Sequence, residues 1–253
     1  MIPLREQEYI SERFARDLEA RVKIDFFTQK ASKLFVAGRE ECPTCDDART
    51  LYTEVASLSE KVSLTVYEFA DFREEAQKVG VDKIPAAVLR GPANRPLLFF
   101  GVPGGNEFPN FIETIIEVSK TSVELPAETA KQLKKLKDKT SIAVYVTPTC
   151  PHCPGVVRAA YRLALASAQI DASAVEISEF PRLGQQLGVR AVPFTVINNQ
   201  AAFAGAVDEA GLLEYIQKAV AGGTPGATAP AGATSDASAA PGPSAASGLI
   251  IPR

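Results

Sequence analysis

The sequence predicts an α/β protein built from two tandem copies of one small domain, and three observations lead there. Apolar runs of strand length alternate with stripes of helical period from residue 5 to residue 221. The pattern breaks at Thr121-Ser-Val-Glu-Leu-Pro126 and then starts again. The restart keeps a fixed offset, with Cys42 recurring as Cys150 and Pro85 as Pro193 (150 − 42 = 193 − 85 = 108), while Gly80-Val81 returns as Gly188-Val189. Self-similarity at a constant period is the mark of a duplicated structural unit. The expected domains are residues 1–120 and 121–221, followed by a tail at 222–253.

Within the first copy, Tyr9, Ile10, Phe14 and Leu18 recur at helical spacing among charges and predict a leading surface helix. Val22, Ile24 and Phe26 alternate as a strand does, so residues 22–27 are taken as the first strand and 29–41 as a long connecting loop. The ungapped 108-residue offset argues for a different strand, because it sets Leu34 to Val36 opposite Ile142 to Val144. Ala48, Leu51, Tyr52 and Val55 form the stripe of the next helix, and Leu64 to Phe69 a strand. A short polar helix at Arg73 to Lys78, a strand beginning at Ile84-Pro85, a strand at Leu97 to Phe100 and a helix at Phe108 to Val118 complete the copy. The second copy opens with a helix around Ala130 to Leu136, and the basic run Lys131 to Lys139 reads as a solvated face and connector.

Composition narrows the function. The 253 residues are 46% apolar and 23% charged with a net charge of −3, so the chain is long enough for two cores and lacks the basic footprint of a nucleic-acid binder. The first ten residues lack the apolar core of a signal peptide, and no apolar run approaches the roughly 18–20 residues that span a bilayer. The expected location is the cytoplasm, with no membrane or nucleic-acid partner. From Gly222 the sequence collapses to Ala, Gly, Pro, Ser and Thr, the composition of a disordered tail, and Leu249-Ile250-Ile251 is its single docking candidate.

All four cysteines fall in CxxC pairs, Cys42 with Cys45 and Cys150 with Cys153, and in a cytoplasmic chain that spacing points to redox or metal chemistry. The thiolate is the attacking species in disulfide exchange, and a helix N-terminus favours it with free N–H groups and a positive dipole end. Cys42 and Cys150 are expected at such helix starts, with Pro43 and Pro151 at the first helical position. His152, the only histidine, lies between Cys150 and Cys153, and Arg158 and Arg162 follow, whereas Asp46 and Asp47 follow Cys45. Positive neighbours favour a thiolate and carboxylates disfavour it, which ranks Cys150 above Cys42 as nucleophile. The second cysteine of each motif, one turn on, is the resolving residue.

Each motif is answered at the same distance by a β-branched residue and proline, Ile84-Pro85 and Val192-Pro193. This arrangement resembles thioredoxin-superfamily domains, which implies for each copy a central mixed sheet flanked by helices. It also implies that both prolines are cis, face the cysteines and, with Ile84 and Val192, bind substrate. More narrowly, Val146-Thr-Pro-Thr-Cys-Pro-His-Cys-Pro154, Phe100-Gly-Val-Pro-Gly-Gly and Glu117-Val-Ser-Lys120 are similar to the tandem, glutaredoxin-like protein disulfide oxidoreductases known mainly from thermophiles. The resemblance spans residues 5–221. It implies disulfide formation, reduction and isomerisation on protein substrates, electrons exchanged with a thioredoxin reductase, and no cofactor or metal.

Two departures stand out. Thioredoxins carry an acid in the strand six residues before the first cysteine, where this chain has Val36 and Val144, so Glu68 and Glu176 are left as candidate proton acceptors. Tryptophan is absent altogether. Three other readings stand beside exchange: a thioredoxin-like electron donor to a peroxidase, a structural zinc protein using all four cysteines, and a binding protein that uses the fold as scaffold.

Overall fold

The computed structural model describes residues 2–30 and 41–221. The first half consists of α1 (Leu4–Asp17), β1 (Val22–Thr28), α2 (Cys45–Ser57), β2 (Val62–Glu68), α3 (Arg73–Lys78), β3 (Ala86–Arg90), β4 (Leu97–Phe100) and α4 (Glu107–Val118). The second half repeats the order as α5 (Ala127–Leu133), β5 (Thr140–Val146), α6 (Cys153–Ala166), β6 (Ile170–Glu176), a 3-10 turn at Ile177–Glu179, α7 (Pro181–Leu187), β7 (Phe194–Ile197), β8 (Ala201–Ala204) and α8 (Glu209–Val220). The tail, and with it Leu249-Ile250-Ile251, lies outside the described residues, as does the alternative strand at Leu34 to Val36. Among the described residues no helix is long and apolar enough to cross a membrane.

The first strand is Val22–Thr28, and register identifies its counterpart. Val22 pairs with Val62 as Thr140 pairs with Ile170, so β2 and β6 keep the 108-residue offset while β1 and β5 are 118 apart (140 − 22 = 118). The ten additional residues fall between β1 and Cys42, which is why an ungapped offset pointed to the wrong segment. The structural counterpart of Val144 is therefore Phe26, and both are fully buried. The buried acid that β1 does hold, Asp25, alternates to the opposite face, where Arg90 and Lys23 engage it.

A central mixed sheet flanked by helices was expected in each half, and the two are joined into one continuous sheet. Its strand order is β2-β1-β3-β4-β6-β5-β7-β8, with the halves joined where β4 runs parallel to β6 from Leu97–Ala172 to Phe100–Val175. The physical reason is that β4 and β6 are each an edge of their own half, and an edge left bare carries unpaired N–H and C=O groups. Both copies contribute the same internal order, so the union is head to tail. One helical layer, with α1, α2, α4, α6 and α8, shares a core with Ile24, Phe26, Leu97, Phe99, Ile142 and Val144. The opposite face packs α3 and α7 on Phe27, Val88, Phe100, Tyr145 and Val175.

The helices obey their apolar spacing. Cys45, Ala48, Tyr52 and Val55 are the buried stripe of α2, and α6 buries Cys153, Val156, Val157, Ala160, Tyr161 and Ala164. Further bonds lock the seam. Tyr161 of α6 donates its buried hydroxyl to the Leu98 carbonyl of β4 at 2.6 Å, and Arg162 is ion-paired with Glu117 of α4 and with Glu209 at 2.8 Å. Tyr161→Phe removes this bond between the halves, so it is expected to lower stability by about 0.5–1.5 kcal/mol, read by denaturant unfolding of the oxidised protein.

Candidate functional site: two CxxC disulfides at one sheet edge

Strand direction fixes where the motifs lie. Since β1 and β5 both run parallel to the β4–β6 pair, their C-terminal ends point to the same edge of the sheet. Four strand spacings separate them, about 19 Å before twist. Each motif follows one of those ends and leads into the helix of a βαβ unit, so both sites open at one end of the molecule.

Both cysteine pairs are closed as disulfides, with Cα–Cα distances of 5.4 Å for Cys42–Cys45 and 5.5 Å for Cys150–Cys153. The helices begin at the second cysteines, with Thr44 and His152 as the capping residues. Pro43 and Pro151 are thus not the first helical residues, as expected, but sit in the turn before the helix, where a residue without an N–H leaves no donor unpaired. That turn is held by Cys150 N–H to the Thr147 carbonyl at 3.2 Å and Cys45 N–H to the Cys42 carbonyl at 3.4 Å. Cys150 still meets a helix N-terminus, because the Cys153 N–H points at Cys150 Sγ at 3.1 Å. Cys45 and Cys153 are buried, Cys150 is 6% exposed and Cys42 is half-buried.

The peptides Ile84-Pro85 and Val192-Pro193 are both cis. Register sets Pro85 one step beyond the Phe27–Ala86 pair and Pro193 one step beyond Tyr145–Phe194, each beside the end of the strand that precedes its motif. The two carbonyls accept from Gly101 N–H at 2.8 Å and Gly205 N–H at 2.9 Å. Both prolines are buried, while Ile84 and Val192 are partly exposed.

The charged neighbours are arranged otherwise than the sequence suggested. The His152 imidazole is exposed and makes no capping hydrogen bond. Arg162 is engaged by Glu117 of α4 and Glu209 of α8, and Arg158 lies 3.9 Å from the same Glu117, so their charge is answered by α4 and α8. Glu68 pairs with Arg49 at 2.9 Å and accepts from the Lys30 N–H. Glu176 is buried and accepts from the Ser178 N–H at 3.1 Å. The geometry gives the zinc reading no support: each cysteine pair closes on itself, and among the described residues no group of three or more His, Cys, Asp or Glu gathers as metal ligands.

Two acids missed by the sequence reading come from segments that touch the first motif and the loop before the second, each contributed by the other half. The loop after β4 runs to the second motif. Asn106 N–H donates to the Pro148 carbonyl at 2.9 Å, and Gly105 (φ +55°) packs so closely that an added Cβ would lie 2.3 Å from that oxygen. The next residue, Glu107, is 1% exposed at the start of α4; Asn110 donates to one of its oxygens at 3.1 Å, and the other has no hydrogen-bond partner. Burial pushes Glu107 up to about 7 against the smaller opposing effect of Asn110. Glu179, after β6, reaches the first motif by accepting from the Thr44 hydroxyl. The sequence signal for Glu107 was an acid opening a helix with a strong apolar face after Pro103-Gly-Gly-Asn106; Glu179 carried none, because its partner is 135 residues away.

This fold with two CxxC disulfides defines a thioredoxin-fold dithiol-disulfide oxidoreductase. A thioredoxin domain family profile matches residues 140–217. Among solved structures, the chain is similar to a protein disulfide oxidoreductase of Aeropyrum pernix, with a TM-score of 0.76 at 25% identity over 88% of this chain and 95% of that one. It is equally similar to the NTD_N/C domain of alkylhydroperoxide reductase AhpF from Enterococcus faecalis, with a TM-score of 0.75 at 25% identity over 85% of this chain and all of that one. A curated relative from Staphylococcus aureus, the AhpF component of alkyl hydroperoxide reductase, is 23% identical over 73% of this chain and 34% of its own length. An NADH dehydrogenase of Bacillus subtilis is 24% identical over 65% of this chain and 30% of its own. The chain spans about a third of the length of these two relatives.

The buried Glu107 makes stability depend on pH in a defined direction. Its carboxyl ionises near 4.5 when unfolded and near 7 when folded, so the folded state holds the extra proton between those values and stability falls as pH rises through them. Glu107→Gln is expected to flatten that fall, worth up to about 3 kcal/mol, in urea midpoints taken from pH 4.5 to 8.

Proposed function

We propose that the protein exchanges and isomerises disulfides on protein substrates, with the second motif as the leading site. The observation carrying this reading is the pair of closed CxxC disulfides at one sheet edge, each with a buried proline beside the preceding strand. In reduction, the Cys150 thiolate attacks a substrate disulfide RSSR′, R′S⁻ leaves and a mixed disulfide forms. Cys153 then gives up its proton and displaces RS⁻ from Cys150, leaving the Cys150–Cys153 disulfide and a substrate reduced by two electrons. The reverse sequence forms a substrate disulfide, and release before resolution isomerises one.

The Cys153 N–H aimed at Cys150 Sγ supports Cys150 as the attacking thiolate. Glu107, buried with one oxygen unpartnered in the segment that contacts the loop before Cys150, is the group we assign to take the proton from Cys153 through an intervening water. Pro85 and Pro193, with Ile84 and Val192, line the approach of an extended substrate. His152, exposed between the cysteines, adds positive charge to the approach when protonated. The Cys42–Cys45 pair is a second, more reducing couple. We assign the activity to a reducing compartment such as the cytoplasm, with a thioredoxin-reductase-type flavoprotein as electron source.

A second reading, an electron donor to a peroxidase, is favoured by the likeness covering the whole AhpF NTD_N/C domain. Peroxide consumption reconstituted from this chain, a flavoprotein reductase and a peroxiredoxin separates the two. Turnover in that system without scrambled-substrate refolding supports the donor role.

For the leading reading, Cys150→Ser is expected to abolish most insulin-disulfide reduction and scrambled-substrate refolding, with Cys42→Ser leaving a larger remainder. Thiol alkylation against pH is expected to find the lower midpoint at Cys150. A lower midpoint and greater loss at Cys42 reverses the ranking of the sites.

A further inference from the structure

The first motif is held from the other half of the molecule. Thr44, third residue of Cys42-Pro43-Thr44-Cys45 and cap of α2, donates its hydroxyl to Oε2 of Glu179, in the 3-10 turn after β6. The other oxygen, Oε1, accepts from the Val102 N–H at 2.6 Å, so both carboxylate oxygens have donors, the arrangement that suits an ionised acid. The site is shaped for this approach. Gly101, at φ +94°, would put an added Cβ 2.8 Å from Oε1, and its carbonyl accepts from the buried Tyr52 hydroxyl at 3.3 Å. In the second motif the residue equivalent to Thr44 is His152, which makes no such bond and presents its imidazole to solvent.

We propose that Glu179 is a positioning residue for the first dithiol. Supplied by the second half, it fixes Thr44 between the two cysteines and sets a negative charge beside them, making the Cys42–Cys45 couple the more reducing of the two. The inference rests on the thiol-exchange reading and adds the group that separates the two sites. A carboxylate beside Cys42 raises the free energy of its thiolate, and a less stable reduced form makes the disulfide a weaker oxidant. In the exchange that defines the couple, the Cys42 thiolate attacks an external disulfide RSSR and one RS⁻ leaves. Cys45 loses its proton and displaces the second RS⁻, so the dithiol loses two electrons and RSSR gains them. The charged and titratable groups facing Glu179 are Asp47 and Tyr52 from α2 and Glu176 from the end of β6. Burial, with Glu176 and Asp47, pushes Glu179 upward while Thr44 and the Val102 N–H oppose it, so the effect fades as pH falls.

The test compares full-length wild type, Glu179→Gln and Thr44→Val. Each is reduced and alkylated from pH 4 to 9, and the Cys42 and Cys150 peptides are resolved by mass spectrometry. Glu179→Gln, which keeps the shape and removes the charge, is expected to speed Cys42 alkylation up to about tenfold below its midpoint and leave Cys150 unchanged in the same sample. The glutathione equilibrium of the first couple is expected to move by the same factor, about 30 mV toward oxidising. Thr44→Val, which frees the carboxylate to turn to solvent, is expected to shift Cys42 the same way by less, and decides the matter if Glu179→Gln does not fold. Unchanged Cys42 profiles, or equal shifts at Cys42 and Cys150, overturn the proposal. Failure of the wild type to reduce insulin disulfides is a separate result, overturning the exchange reading whatever the alkylation profiles.

Discussion

Four paired residues of β4 against β6, Leu97–Ala172 to Phe100–Val175, hold the rest of the molecule in place. They turn two edge strands into the middle of one sheet and satisfy backbone groups that water would otherwise have to solvate. They also decide orientation. Because the pairing is parallel, β1 and β5 run the same way and both motifs emerge at one edge. An antiparallel junction would have sent them to opposite ends. The union is reinforced on the helical side by the Tyr161 hydroxyl on the Leu98 carbonyl and by Arg162 between Glu117 and Glu209.

The same junction crosses the wiring of the two sites. The chain leaving β4 carries Gly105, Asn106 and Glu107 to the loop before Cys150, and the chain leaving β6 carries Glu179 to Thr44. The first dithiol therefore has an acid of the other half on Thr44, and the loop before the second has one in the segment that contacts it, in different settings. Glu107 is nearly sealed from water with one oxygen unpaired, a setting that favours the neutral acid. Glu179 is half-buried with a donor on each oxygen; burial pushes it upward, and the Thr44 hydroxyl and the Val102 N–H oppose that shift. Arg158 and Arg162 face Glu117 rather than standing free beside the second motif.

Strands, helices and motif positions were legible in the sequence because they follow from local order. Alternation marked β1, the 45-48-52-55 stripe marked α2, and the bounds of α3 and β4 came out as read. The fixed offset gave the duplication and matched each cysteine pair to its proline. Reading failed where length was not conserved between the copies: the ten extra residues before Cys42 displaced the proposed strand counterpart and with it the position compared for a buried acid.

Local order alone specifies the two copies, the four cysteines in reach of one another as pairs, and the prolines that answer them. All are encoded within a few dozen residues, where spacing and period suffice. The folded chain was needed to show that the copies share one sheet, that the arginines after Cys153 turn to Glu117, and that Glu107 and Glu179 cross between the halves. These depend on hydrogen bonds and burial between residues up to 135 positions apart, and no local pattern records which distant carboxyl will lose its water.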